Sequence, residues 1–186
     1  MAEQGLLSER QSAAHLLILC FVVFTVGGIL FTGRAIWKWP VGETALYLRC
    51  ERGFVMAAVV VTVLGLALLE GQLRAAGDTV VAPLGLVTYL LAATVVIAAE
   101  TTFLNTGQFV DPQIIVYIVL AFLAQAAFGI SLLRTELLAD WVGWATILWN
   151  LGWLVVLPLV SPRDFYYPVL HHTAPLLIGI ALLLRQ

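Results

Sequence analysis

Six long apolar runs, 13–32, 54–70, 80–100, 113–133, 141–160 and 168–184, constrain this chain more than any other feature. A hydrocarbon layer about 30 Å thick takes roughly 20 helical residues to cross, and each run reaches or approaches that length. None of the nine Lys and Arg residues falls inside a run. Such a charge at the bilayer centre costs at least ~2.5 kcal/mol. The alternating pattern of barrel strands is not seen, and helices are the other way to satisfy the backbone in lipid. The longest connection, 33–53, is too short to hold a soluble domain. The expected fold is therefore all-α: one polytopic transmembrane bundle of six spans, occupying residues 1–186.

Composition agrees with this reading. Hydrophobic residues make up 62% of the chain and charged ones 11%, whereas soluble domains carry about a quarter charged. Nine Lys and Arg against eleven Asp and Glu leave a net charge of -2 and no basic stripe, which excludes nucleic acid as a partner. The first run is read as a true span: Glu3 and Glu9 accompany Arg10 before it, and no small-x-small cleavage site follows. Six spans place both termini on one side. Arg10, Arg74, Arg134 and Arg185 then face Arg34, Lys38, Arg49, Arg52 and Arg163 across the membrane, a near-even division. The short loops 71–79 and 134–140 favour cytoplasmic termini.

The connections carry their own punctuation. Gly77-Asp78 reads as a turn, with Thr79 as the expected cap of the third span. Asp111-Pro112 opens the fourth span with an acid and an N1 proline, and Asp140 caps the fifth. Ser161-Pro162 ends the fifth span and Pro168 opens the sixth. Residues 43–52 alternate apolar and charged positions, as suits a short helix lying on the membrane surface.

Residues that contradict a lipid environment are the candidates for chemistry. Glu70 and His15 lie near run ends and read as interfacial side chains. Glu100, His171 and His172 fall on one predicted face, together with Asn105, Asp111, Arg163, Asp164, Tyr166 and Tyr167. Two imidazoles and a carboxylate match the ligand set of a catalytic zinc. Adjacent helical residues point about 100° apart, however, so both histidines would need an irregular helix start at Pro168 or Pro175. A second constellation is uncharged. Gln125 and Asn150 should sit near mid-membrane on adjacent antiparallel spans and pair through their amides, with Thr25, Thr62 and Tyr89 extending the layer. Trp149 and Trp153, one turn apart, would line a pocket there.

Several chemistries are closed. The sole lysine, Lys38, lies in a loop, so no retinal Schiff base can form. The histidines fall at opposite ends of the bundle, which defeats a bis-histidine haem clamp. Cys20 and Cys50 have neither metal nor redox spacing and read as fillers. Rhomboid-type proteolysis lacks a Ser–His pair on one face, and no phosphate-binding loop is present. No cofactor is expected.

The stretches ERGFVMAAVVVTVLGLALLE (51–70), GISLLRTELLADWVGWATILWNLGWLVVLP (129–158) and RDFYYPVLHHTAPLLIGIALLL (163–184) resemble a group of small prokaryotic multi-pass, six-helix membrane proteins. The resemblance implies the architecture and a bacterial or archaeal plasma membrane. It supplies no mechanism, because that group has no established activity. Three functions follow from the residues. The leading one is a non-catalytic bundle, a scaffold or accessory protein that binds lipid, a second copy or a partner membrane protein. The others are a transporter or ligand-binding bundle using Gln125, Asn150, Trp149 and Trp153, and a metal-dependent hydrolase on Glu100, His171 and His172.

Overall fold

The computed structural model describes residues 2–108, 111–160 and 168–185. Six helices account for nearly all of them: α1 (Ala2–Ala35), α2 (Ala45–Ala75), α3 (Val81–Thr106), α4 (Asp111–Thr135), α5 (Asp140–Val160) and α6 (Pro168–Leu184). Five are long and apolar enough to cross a membrane. The sixth is shorter, an apolar helix over Val169–Leu184 that is about 25 Å long at 1.5 Å per residue. No strand occurs among the described residues.

Each helix packs against its neighbours in sequence, and α6 closes the ring onto α1. The interior is filled by large side chains from the middle of the ring, among them Leu66, Tyr89, Tyr117, Phe122 and Phe128. The outward faces keep Val22, Leu84, Leu148 and Leu159 exposed. Apolar side chains that face outward on every helix suit a lipid solvent.

Two close approaches fix the ring. Gly129 of α4 and Gly143 of α5 face each other, and a Cβ added at Gly129 would stand 2.9 Å from the Gly143 carbonyl oxygen. On the closing seam, a Cβ at Gly179 of α6 would stand 2.9 Å from the Ala14 carbonyl of α1. Only glycine allows backbones this near, which is how small residues let helices pack where lipid supplies no hydrophobic drive.

The connections differ from the sequence expectation at two places. Residues 43–52 do not form a separate surface helix. A single 3-10 turn over Pro40–Glu43 leads into α2, whose first turn is capped when Tyr47 N–H donates to Thr44 Oγ1 at 3.3 Å. From there α2 runs unbroken to Ala75, because Glu51 and Arg52 find partners inside the bundle and need no headgroups. The cap of α3 is Asp78, not Thr79. The Asp78 carboxylate accepts from the N–H groups of Val80, Val81 and Ala82 at 3.1, 2.9 and 3.2 Å. Burial alone would raise this carboxyl, but the nearby Ser131 hydroxyl and those three N–H groups outweigh it and hold it below the usual carboxylate range. At the far end of α3, Gly107 takes a left-handed φ of 70° and stops the helix.

Candidate functional site

A chain of charges crosses the bundle near the α1 C-terminus. Arg34 of α1 grips Glu51 of α2 with both arms, Nε to Oε2 at 2.7 Å and Nη2 to Oε1 at 2.9 Å. Arg52 stands 3.0 Å from the same carboxylate and 3.4 Å from Glu100 Oε2 on α3. Its guanidinium also lies over the Phe103 ring at 4.7 Å. Glu51 and Glu100 are fully buried and Arg52 almost so. Among the described residues two cations and two anions meet here, and such pairing is the condition for burying ions in a low-dielectric interior.

The histidines lie deeper than the sequence suggested. His172 Nδ1 is 3.3 Å from Thr62 Oγ1, and Thr62 already donates its hydroxyl to the Ala58 carbonyl at 2.8 Å. Thr62 is 13 residues from the end of α2, about 20 Å along the axis, whereas Glu100 stands about 28 Å from the start of α3. His172, level with Thr62, and its neighbour His171 therefore lie below the charged layer. His171 packs against Phe122 and Tyr117, with ring centroids 4.1 and 5.1 Å away, while His172 stacks on Phe24 at 4.8 Å.

The structure does not bring the three expected metal ligands together. Glu100 is engaged by Arg52, and the two imidazoles point into different aromatic surroundings, as the 100° step between adjacent helical residues requires. Among the described residues, no three His, Cys, Asp or Glu side chains are grouped to hold a metal ion. Arg163, Asp164, Tyr166 and Tyr167, expected on the same face, lie outside the described residues.

The two amides likewise take separate partners. Gln125 and Asn150 are both buried, but they do not pair with each other. Gln125 Nε2 donates to the His171 carbonyl at 2.8 Å, and Asn150 Nδ2 donates to the Thr146 carbonyl one turn back at 2.7 Å. The physical reason for the first bond is Pro175. It has no N–H, so the His171 carbonyl four residues earlier lacks its helical donor, and an intramembrane carbonyl needs one. Trp149 Nε1 reinforces the same turn by donating to the Leu170 carbonyl at 2.9 Å. Two side chains from α4 and α5 therefore hold the start of α6 by its backbone.

Trp149 and Trp153 meet edge to face at 5.8 Å, lining an open groove with Ala145, Leu148, Gly152 and Val156. Neither amide lines that groove. Thr25 faces outward and bonds the Phe21 carbonyl, whereas Thr62 and Tyr89 are buried. Glu70 pairs with Arg74 one turn on, and His15 is exposed.

Sequence reasoning missed two things. One is the Arg34–Glu51–Arg52–Glu100 chain, whose signal was an Arg and Glu doublet placed just before the second run. The other is the Pro175 carbonyl, which the proline itself announced. No family model, no curated protein and no solved structure matches the chain.

Proposed function

We propose that this is a multi-pass membrane bundle of the small prokaryotic kind its sequence resembles, acting by binding rather than by catalysis. It would serve as a scaffold or accessory protein for lipid, a second copy or a partner in the membrane. One observation carries the reading: the carboxylate, the amides and the indole singled out as candidates are committed to the fold. Glu100 is engaged by Arg52, Gln125 and Trp149 by the backbone of α6, and Asn150 by its own helix. Native mass spectrometry of the protein released from membrane nanodiscs tests it. The reading expects a retained lipid, second copy or protein partner. A bare chain that turns over a substrate would overturn it.

A second reading, a solute-binding or transporting bundle, draws on a different observation. Tyr89 Oη, Gln125 Oε1, both His171 nitrogens and His172 Nε2 are buried and have no hydrogen-bond partner among the described residues. Such atoms cost free energy in a dry interior, and a polar solute would offset that cost. Saturable uptake into vesicles that fails in His172→Phe while the fold survives would favour this second reading over the first.

A further inference from the structure

The groove between the start of α5 and the end of α6 combines apolar walls with a cation. It holds about 400 Å³ and is lined by Leu138, Trp141, Val142, Ala181, Leu184 and Arg185. That volume lies in the ~300–1,000 Å³ range of small-molecule sites. The groove of Trp149 and Trp153, by contrast, is apolar. We propose that the α5–α6 groove binds an anionic phospholipid, its phosphate on Arg185 and an acyl chain along the apolar walls. The assignment rests on the binding reading above and deepens it by naming the lipid chemistry and its place.

Three features point to that class. The first is charge. Arg185 donates Nη1 to the Glu136 carbonyl at 3.0 Å, which uses one of the five N–H donors of a guanidinium. Arg10 of α1 donates Nε to the Leu182 carbonyl at 3.1 Å, one turn before Arg185, and the two guanidiniums stand close enough to repel each other. The ion pairs among the described residues join Arg34, Arg52 and Arg74 to Glu51, Glu70 and Glu100, and neither Arg10 nor Arg185 takes part in one. Glu9, Glu136 and Asp140 lie at the same end of the bundle, but all three are exposed. Arg10 is partly buried, and its Nη2 has no hydrogen-bond partner. Two neighbouring cations held this way favour an anion beside them. The second feature is depth. Trp141, in the first turn of α5, is 60% exposed, and an exposed indole belongs at the headgroup level of a bilayer. Basic pockets between helices at that level take anionic headgroups. The third is the walls. A chain tethered to the phosphate would cover Leu138, Val142, Ala181 and Leu184, whereas a free phosphate ion would leave them bare.

The full-length protein in an uncharged detergent is titrated with dioleoylphosphatidylglycerol, reading bound lipid by native mass spectrometry and stabilisation by thermal unfolding. The wild type should bind saturably and prefer this lipid to dioleoylphosphatidylcholine. Arg185→Gln should weaken binding about fivefold. Ala139→Trp should act in the same direction, because it fills the groove from an exposed position and leaves the charge unchanged. Arg74→Gln is the control. It removes an equal charge in the last turn of α2, but Arg74 is paired with Glu70 and lies outside the groove, so affinity should stay within about twofold of wild type. The melting temperatures of the lipid-free variants report folding, and either folded groove variant decides the question alone.

Undiminished affinity in a folded Arg185→Gln or Ala139→Trp variant, or no saturable binding by wild type, overturns the assignment. So does an equal loss in Arg74→Gln, which would make the preference a general effect of charge. Displacement of the lipid by inorganic phosphate alone would make the ligand a free anion, and preference for dioleoylphosphatidylethanolamine would give the headgroup amine to Glu136 and Asp140. Both results also overturn it. Each of these outcomes leaves the binding reading of the protein standing, whereas a bare chain that turns over a substrate would remove both.

Discussion

Replacing Gln125 by Met tests how α6 is held. The substitution keeps side-chain length and removes the amide that donates to the His171 carbonyl at 2.8 Å. Pro175 cannot supply the missing donor, so the carbonyl is left buried without it. In water-soluble cores an unsatisfied buried group costs about 1–3 kcal/mol. Interhelical hydrogen bonds in membranes measure less, averaging ~0.6 and reaching ~1.7 kcal/mol. Gln125 Oε1 has no partner among the described residues, so removing it recovers part of the loss. We therefore expect Gln125→Met to destabilise by about 1 kcal/mol, toward the upper part of the membrane range. The diagnostic is Pro175→Ala, which restores an N–H four residues after His171. In that background Gln125→Met should cost less, so the double mutant should lose less than the sum of the single changes in a double-mutant cycle. Reversible unfolding in mixed micelles, titrated with a denaturing detergent, supplies the four free energies. Strict additivity of the two changes would refute the claim that Gln125 replaces the donor proline removes.

Other perturbations have equally definite outcomes. Arg52→Met removes the cation shared by buried Glu51 and Glu100 and should cost about 3–5 kcal/mol, whereas Arg74→Met breaks a pair whose Arg side chain is 59% exposed and should cost under ~1 kcal/mol. The same detergent titration ranks them, and a reversed order would contradict the buried network. Gly143→Ala should destabilise clearly, since its Cβ would lie 2.7 Å from Leu133 Cγ and 3.0 Å from the Gly129 carbonyl, while Gly152→Ala should be tolerated. Asp78→Ala should cost about 1 kcal/mol as a lost helix cap. The Asp78 carboxyl is held below its ordinary range, so its contribution is complete above the unfolded value near ~3.9 and fades as pH falls through the lower folded value. The variant should therefore lose less stability than wild type over that acid interval, as thermal unfolding at a series of pH values would show.

The architecture was legible because hydropathy period and length decide it. Runs 13–32 through 141–160 correspond to α1 to α5, each extended at one or both ends by residues that the apolar criterion leaves out. The segment 43–52 was misjudged because alternating charges read as surface when each residue is considered alone. Arg52 and Glu51 become core residues only once Arg34 and Glu100 arrive from other helices. Depth was the harder quantity. The end of the third run and the start of the sixth placed His171 on the same face as Glu100, yet the contact of His172 with Thr62 sets the histidines deeper. Gln125 and Asn150 were correctly marked as buried amides, but the partner of an amide depends on which carbonyl is free. Pro175 settled that for Gln125, one position that outweighed the symmetric-looking pair.

All of these readings presuppose that the chain threads a bilayer with its connections on alternating sides. Lys38, after α1, and Gly77, between α2 and α3, sit at opposite ends of α2. Single-cysteine variants Lys38→Cys and Gly77→Cys, made with Cys20 and Cys50 replaced, can be probed in sealed vesicles of uniform orientation with a membrane-impermeant maleimide. One position should label from outside and the other only after permeabilisation. Labelling of both positions from the same side would contradict a membrane-crossing α2, and with it the bundle on which every later inference stands.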